Sequence, residues 1–470
     1  MFKKVQSNQL VLITILFIII NSVLIVNEFF LFGLGTLFLA IVFLAFFSIK
    51  KLLLIIVFCT PLSFSLESLD FGGIGMFVPT EPMLFGVLLL FLLKLVSGER
   101  IDMKIINYPI TIAILFYITW VFITTITSEM PVISFKFLLS RLWFIIPFYF
   151  LGIPLLIQKR NIRSLLWIYL IPLSVVILIT TYKHSLFYFD LESSHLVMYP
   201  FFKDHTRYGA VIAMMLPMAI YLYSSRKKRL IIIGLIIILV LGLVLSYTRA
   251  AWVSLLGASI FGIILKFRLS FYRFISLVFF SVVFLFFSWN TLVMSLEKNT
   301  QDSSTSLKKH VESVSNISTD ASNLERINRW NSAIRMFREK PLFGWGPGTY
   351  AFQYAPFQRS SEKTIISTNQ GDLGNAHSEF LGPLAESGFI GMLSFLFLMI
   401  TVYYCGMNLY YKLEDGDLRN LVFYSLLSLT TYFVHGLLNN FLDTDKLAII
   451  FWSLISVIAV IDIYYKEDTI

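Results

Sequence analysis

Apolar residues along this chain come in long unbroken runs, not at the spacing of a water-facing helix or in the alternation of a half-buried strand. A hydrocarbon core of about 30 Å takes roughly 20 residues of helix to cross. Runs of suitable length lie near 10–27, 29–48, 52–66, 81–98, 108–127, 138–157, 164–181, 208–224, 230–247, 250–266, 272–293, 387–410, 420–438 and 447–464, fourteen in all, with the third short and interrupted by Pro61. The expected fold class is an all-α integral membrane protein of about 14 transmembrane helices with one long, partly helical exterior loop. MFKK precedes the first run and no small-residue cleavage site follows it, so that run reads as a retained helix.

The runs divide the chain into an N-terminal transmembrane bundle over 1–207, central helices over 208–294, a large loop over 295–386 and C-terminal helices over 387–470. The loop begins with a Ser-rich, weakly patterned stretch that reads as mobile or partly helical. It continues with LERINRWNSAIRMFREKP, where Leu324, Ile327, Trp330, Ile334 and Phe337 fall at helical spacing and Pro341 is a stop. This predicts an amphipathic helix whose other face carries Arg326, Arg329 and Arg338. FGWGPGTY then reads as a Gly/Pro turn. A second exterior segment, 182–207, holds three of the six histidines, His184, His195 and His205.

Composition removes the soluble alternative. The hydrophobic fraction is 57 % and the charged fraction 14 %, against about 25 % charged in soluble domains, too few charges to cover a water-facing surface of this size. The two cysteines, Cys59 and Cys405, both lie in apolar stretches and build neither a disulfide framework nor a four-thiolate metal site. A net charge of +9 in a membrane protein reports topology and not nucleic-acid binding. With the N-terminus inside, 20 of the 37 Lys and Arg fall at cytoplasmic ends. Lys136, Arg141, Lys183, Lys203, Arg207, Arg249 and Lys446 fall at the exterior ends, and the other ten lie in the long loop. That alternation predicts an even number of crossings with both ends cytoplasmic.

Three arginines and one histidine stand out as candidate chemistry. Arg249, in LSYTRAAW between two apolar runs, either snorkels to the outer headgroups or is held by an anionic ligand, since a charge near the bilayer is costly. Arg326 and Arg329 sit one turn apart, where two planar guanidinium forks suit one diphosphate or simply form a solvated helix face. Ten basic and ten acidic residues in the loop mean that any anion site there is local. His377, in NAHSEF, stands where the chain returns to the membrane. Asn375 as a helix cap would put the positive end of the dipole beside its ring and keep a neutral base, whereas Pro383 as the first helical residue would leave His377 in the preceding turn. His435, in an apolar run, reads as a structural residue bonded to a neighbouring helix. There is no exterior DxD, HExxH, paired metal-ligand spacing, P-loop or GxGxxG after a strand, so metal-dependent and nucleotide-driven reactions are disfavoured and no cofactor is expected.

Taken in order, YTRAAW, LERINRWNSAIRMFREKPLFGWGPGTYAF and AHSEFLGPLAESGFIGML resemble the successive signatures of the O-antigen ligase and polymerase superfamily of bacterial envelopes, over roughly residues 205–400. The resemblance implies a metal-independent inverting glycosyltransferase of the bacterial inner membrane. It would take a polysaccharide from an undecaprenyl diphosphate carrier on the periplasmic face, which places loop 295–386 in the periplasm. In a ligase the acceptor is a sugar hydroxyl of the lipid A core. The family's catalytic residues correspond to Arg249, Arg326 and His377, with Arg329 and Arg207, the latter in DHTRYG, beside the diphosphate. One position departs: the family histidine is usually followed by Asn, and here Ser378 follows. Bottom-up the chemistry is coherent, since a lipid-linked diphosphate leaves readily once arginines neutralise it and needs only a base for the incoming hydroxyl. The reading is an O-antigen ligase whose partners are the lipid-linked donor, a lipid A core or other glycan acceptor and membrane lipids, with no nucleic acid. Its rivals are an O-antigen or exopolysaccharide polymerase, a protein O-oligosaccharyltransferase and, in another class, a polysaccharide flippase or transporter. The long loop and the absence of duplicated halves weigh against the transporter.

Overall fold

A computed structural model of the chain describes residues 48–65, 77–224, 228–297, 321–364, 367 and 374–465. The first two apolar runs and the Ser-rich start of the loop lie outside the described residues. Of the remaining runs, eleven form long helices. These are α2 (Thr80–Val96), α3 (Pro109–Ile126), α4 (Pro131–Leu156), α5 (Lys159–Ser185), α6 (His205–Ser224), α7 (Arg229–Leu245), α8 (Arg249–Lys266), α9 (Phe271–Glu297), α11 (Leu381–Lys412), α12 (Asp417–His435) and α13 (Asp445–Tyr464). The loop supplies α10 (Ala321–Glu339). The run at 52–66 departs from expectation: helix α1 (Ile49–Cys59) is only 11 residues long. It tightens into a 3-10 turn at Thr60–Leu62, where Pro61 lacks the N–H that would extend the ladder. Phe64–Ser65 (β1) then pairs antiparallel with Phe77–Val78 (β2).

The protein is an all-α, multi-pass membrane protein, and the described residues do not confirm the expected count of about 14 crossings. Among the described residues, six helices are long and apolar enough to cross a membrane: α3, α4, α5, α8, α11 and α13. Helix α7, with 17 residues, falls short of the roughly 20 that a full crossing takes. Helix α12 spends its first turn on Asp417 and Arg419. Proline shapes two of the long helices. It occupies the first position of α3 and α4, where a missing N–H costs nothing. Inside α4, Pro147 falls in a π-helical segment, Ile146–Phe150, before the helix resumes at Gly152–Leu156.

Helix α12 packs between α6 and α8, and α3 packs on α11. Helix α13 is the most enclosed, with every side chain from Asp445 to Ile461 buried. A second, smaller cluster lies within the loop and brings Ala333, Met336, Tyr350, Tyr354, Ala376 and Ala385 together under Trp345, Phe357 and Leu381. Helix α10 rides on α11 through a break in the α11 ladder. Gly388 has φ 71°, a left-handed value that frees neighbouring carbonyls from the helix. The carbonyls of Ala385 and Glu386 then accept from Trp345 N at 3.1 Å and Gly346 N at 2.7 Å. Ser387 O accepts from Trp120 Nε1 at 2.8 Å, and Phe389 N donates to Pro341 O at 2.9 Å.

Candidate functional site

The loop helix is amphipathic in a sense opposite to the expected one. Its buried face is Glu325, Asn328, Arg329, Ser332, Ala333 and Met336, while Ile327, Trp330, Ile334 and Phe337 are half-buried and Leu324 is exposed. Polar groups turn inward because the loop offers each a partner. Arg329 Nε donates to Glu325 at 2.8 Å, and its Nη1 reaches Asn375 O at 3.3 Å. The guanidinium also lies 5.4 Å from the centre of the Tyr354 ring. Glu325 accepts further from Thr364 Oγ1 at 2.9 Å and from Ser367 Oγ, and Asn328 Nδ2 donates to Gln358 Oε1 at 2.7 Å. Gly374 lets this arrangement close, since a Cβ there would sit 1.9 Å from the Arg329 guanidinium. Arg329 is thus committed within the loop and anchors the segment that leads to His377, instead of presenting a fork beside that of Arg326.

His377 sits on that segment with φ 48°, an uncommon conformation for a non-glycine residue that is stored only where surroundings over-determine it. Its N–H donates to Asn375 Oδ1 at 3.1 Å, and its carbonyl accepts from Trp330 Nε1 at 3.4 Å. Asn375 therefore shapes the turn and does not cap the helix. Ser378 Oγ accepts from Phe380 N and Leu381 N at 3.3 Å each, and His377 lies in the turn before α11. Burial, with Arg329 and Arg326 beside it, pushes the imidazole down to about 3, which a hydrogen bond from the ring to the Asn439 side chain and the charge of Asp204 only partly counter. Desolvation and two guanidinium groups favour the neutral ring.

Around this imidazole the structure gathers residues from four places in the chain. Arg326 from α10 acts electrostatically on both His377 and His205, and Arg249, the first residue of α8, acts on His205. Segment 182–207 folds in, with the rings of His195 and His205 4.0 Å apart and Asp204 capping α6 through Arg207 N at 2.8 Å. Burial opposes charge on Asp204, but Arg207, the Thr206 hydroxyl and that N–H prevail and hold its carboxyl low. Arg207 lies 3.5 Å from the same carboxylate and 5.2 Å from the Phe441 ring centre. His184 stays apart, its Nε2 bonded to Asp190 O at 2.8 Å.

Three further residues join this arrangement. Glu379, two residues beyond His377, accepts from Tyr432 Oη and from the N–H groups of Phe441 and Leu442 at 2.9 and 3.0 Å, while its own N–H donates to Gly436 O at 2.8 Å. It thereby ties the turn between α12 and α13 to the His377 segment. Asn439, on that turn, is 2 % exposed and bridges toward His435. Arg141, on α4, is 6 % exposed, lies 4.6 Å from the Phe137 ring centre and is acted on by Glu379 and Asp443. Two asparagines in a polar break, LLNNFLD, were the available signal for Asn439; Glu379 was marked by its place two residues beyond His377, and Arg141 only as a charge at the exterior end of an apolar run.

Against known proteins, residues 234–396 match the family model described as O-antigen ligase. That span covers α8 and α10 and the first half of α11, and with them Arg249, Arg326, Arg329 and His377. No curated protein matches the chain.

Proposed function

From the match of residues 234–396 to the O-antigen ligase family model, we propose that this chain is an inverting glycosyltransferase. It moves a polysaccharide from undecaprenyl diphosphate to a sugar hydroxyl of the lipid A core, on the periplasmic face of the bacterial inner membrane. One observation carries the reading. The imidazole of His377, kept uncharged by burial and by Arg329 and Arg326, sits on a left-handed backbone position at the foot of α11.

In this scheme the free ring nitrogen of His377 takes the proton of the acceptor hydroxyl as its oxygen attacks the anomeric carbon. Attack comes from the face opposite the carrier, and the bond from that carbon to the diphosphate oxygen breaks with its electron pair leaving on phosphate. Arg249, Arg326 and Arg207 hold the charge that develops there, a use for which guanidinium forks are suited. Arg329, engaged with Glu325 and Asn375, serves by fixing the His377 turn and by its field. The distribution of Lys and Arg supports an exterior loop and cytoplasmic termini.

The test is reconstitution in lipid with a lipid-linked glycan and a choice of acceptors. Glycan on lipid A core is the expected product. Growth of lipid-linked glycan alone would instead make the chain a polymerase, and glycan on protein an oligosaccharyltransferase. His377→Ala should lose transfer by about 10²–10⁴-fold while still binding donor. A variant retaining more than about a tenth of the rate would remove His377 from the role.

A further inference from the structure

Helix α5, one of the helices long and apolar enough to cross a membrane, ends at Ser185, and the chain turns at once. Leu186, Phe187, Tyr188 and Phe189 on that turn are all exposed, and exposed Leu196 and Tyr199 follow on the same segment. Tyr188 keeps 94 % of its surface accessible and Leu196 75 %. In water, such a cluster would be an apolar patch of the kind that monomeric soluble proteins avoid.

The turn is tightly built. Tyr188 and Phe189 have φ 52° and 57°, two consecutive left-handed positions on residues that seldom take them. The surroundings hold them there. The N–H groups of Phe187 and Phe189 both donate to His184 O at 3.1 Å, and Tyr247 Oη donates to Phe189 O at 2.8 Å. His184, 1 % exposed, packs against the turn, its Nε2 2.8 Å from Asp190 O and its ring 5.4 Å from that of Phe189, centre to centre.

The backbone shows which medium this turn suits. Each of the five consecutive N–H groups from Leu186 to Asp190 donates to a carbonyl of residues 183–187, at 3.1 or 3.2 Å, so none of them calls for water. Irregular backbone is tolerated beside hydrocarbon only where its polar groups are satisfied within the protein. The neighbouring residues are charged. Lys183 Nζ donates to Tyr199 O at 2.9 Å, Asp190 accepts from Ser193 N at 3.0 Å, and Glu192 is exposed. Charges beside an aromatic turn suit the boundary between headgroups and acyl chains, where tyrosine is enriched because one end of its ring is apolar and the other wet.

We infer that residues 186–199 form a lip seated in the bilayer interface at the end of α5, with Phe187, Tyr188 and Leu196 among the lipid headgroups and the first acyl carbons. The occupant is lipid because the surface continues directly from a membrane span and because the turn has no N–H left over for water or for a partner's strand. Through Tyr247 the lip is pinned to the start of α8, two residues from Arg249. It thus fixes the level of the bilayer surface against the candidate site, a role independent of the reaction proposed above.

Spin labelling of the full chain in phosphatidylcholine–phosphatidylglycerol nanodiscs tests the assignment. In a background of Cys59→Ser and Cys405→Ser, a nitroxide is attached at Tyr188→Cys. Its collisions with oxygen, which concentrates in lipid, should exceed those with a water-soluble nickel chelate, and the order should invert for Ser360→Cys, exposed on the loop. Nitroxides at Phe187→Cys and Leu196→Cys should follow Tyr188→Cys, and they decide the matter if that variant does not reconstitute. A nickel signal that prevails on the lip would put it in water and overturn the inference. A nitroxide shielded from both reagents would overturn it as well, because protein would then cover the surface. Neither result depends on whether the chain transfers a glycan.

Discussion

At the residue scale the site depends on keeping a histidine uncharged among arginines. Because the His377 ring is pushed down to about 3 in the empty protein, protonation requires acid far below the ordinary imidazole value of about 6.5. The value of kcat/KM, which reports the free enzyme, should therefore stay flat through pH 6.5 and fall only at strongly acid pH. In the proposed reaction, donor binding brings a negative diphosphate beside the ring and offsets the arginines. The ring in the complex should thus hold a proton more readily, and the acid limb of kcat should lie at higher pH than that of kcat/KM. Steady-state rates across pH check the order of the two limbs; the reverse order would mean that no anion binds near His377. Arginine, glycine and histidine at this spacing were legible from sequence. That Arg329 would face inward was not, because its commitment to Glu325 depends on Thr364, Ser367 and Asn375 arriving from elsewhere in the loop.

At the scale of elements, hydrophobic run length alone located most helices, since a segment that is apolar all round has few alternatives to a helix buried in lipid or protein. Run length failed at 52–66, where Pro61 ends the helix early, and helical spacing of apolar residues gave α10 the wrong inward face. A helix in a polar loop is judged by what its neighbours offer, and the Glu325–Arg329 pair sits inside with both partners nearly inaccessible. The break at Gly388 is what lets α10 and the following turn dock. A Cβ at this position would sit 2.1 Å from Leu342 O and 2.7 Å from Pro341 O, on a φ that other residues resist. Gly388→Ala should accordingly release the 341–350 turn from α11 while leaving the membrane helices intact. Limited proteolysis should cut the loop of the variant much faster than that of wild type, with transfer falling about tenfold or more if positioning is lost. Equal proteolysis rates would show that the turn docks without the break.

For the molecule as a whole, sidedness is the first thing to establish. With Cys59 and Cys405 replaced by serine, a single cysteine at Ser360 should react with an impermeant thiol reagent in intact spheroplasts, and one at Ser97 should not; both side chains are exposed, so equal labelling would refute the orientation. The second is a buried polar knot that joins the two ends of the described chain. Asp445 accepts from Ser63 Oγ at 2.5 Å and Thr80 Oγ1 at 2.6 Å, while Lys446 Nζ donates to Thr60 O at 3.1 Å and Ser63 O at 2.9 Å. Removing one member of a buried pair strands the other's charge, at a cost of about 3–5 kcal/mol, whereas removing both is far milder. Lys446→Met should thus lower the thermal midpoint in detergent markedly, and Asp445→Asn combined with Lys446→Met should recover most of the loss; no recovery would mean that packing, not charge, is what the lysine supplies. Ser63 and Asp445 are separated by 382 positions, and that distance has a meaning in time. A chain emerging from the ribosome commits α1 to the bilayer long before α13 exists, so the hydroxyls and carbonyls of residues 60–80 wait without their charged partners. The turn that carries Asn439 arrives just ahead of α13. Nascent chains that stall before this point would carry the arginines and His377 without the frame that holds them, so competence in the proposed reaction waits until α13 has been inserted.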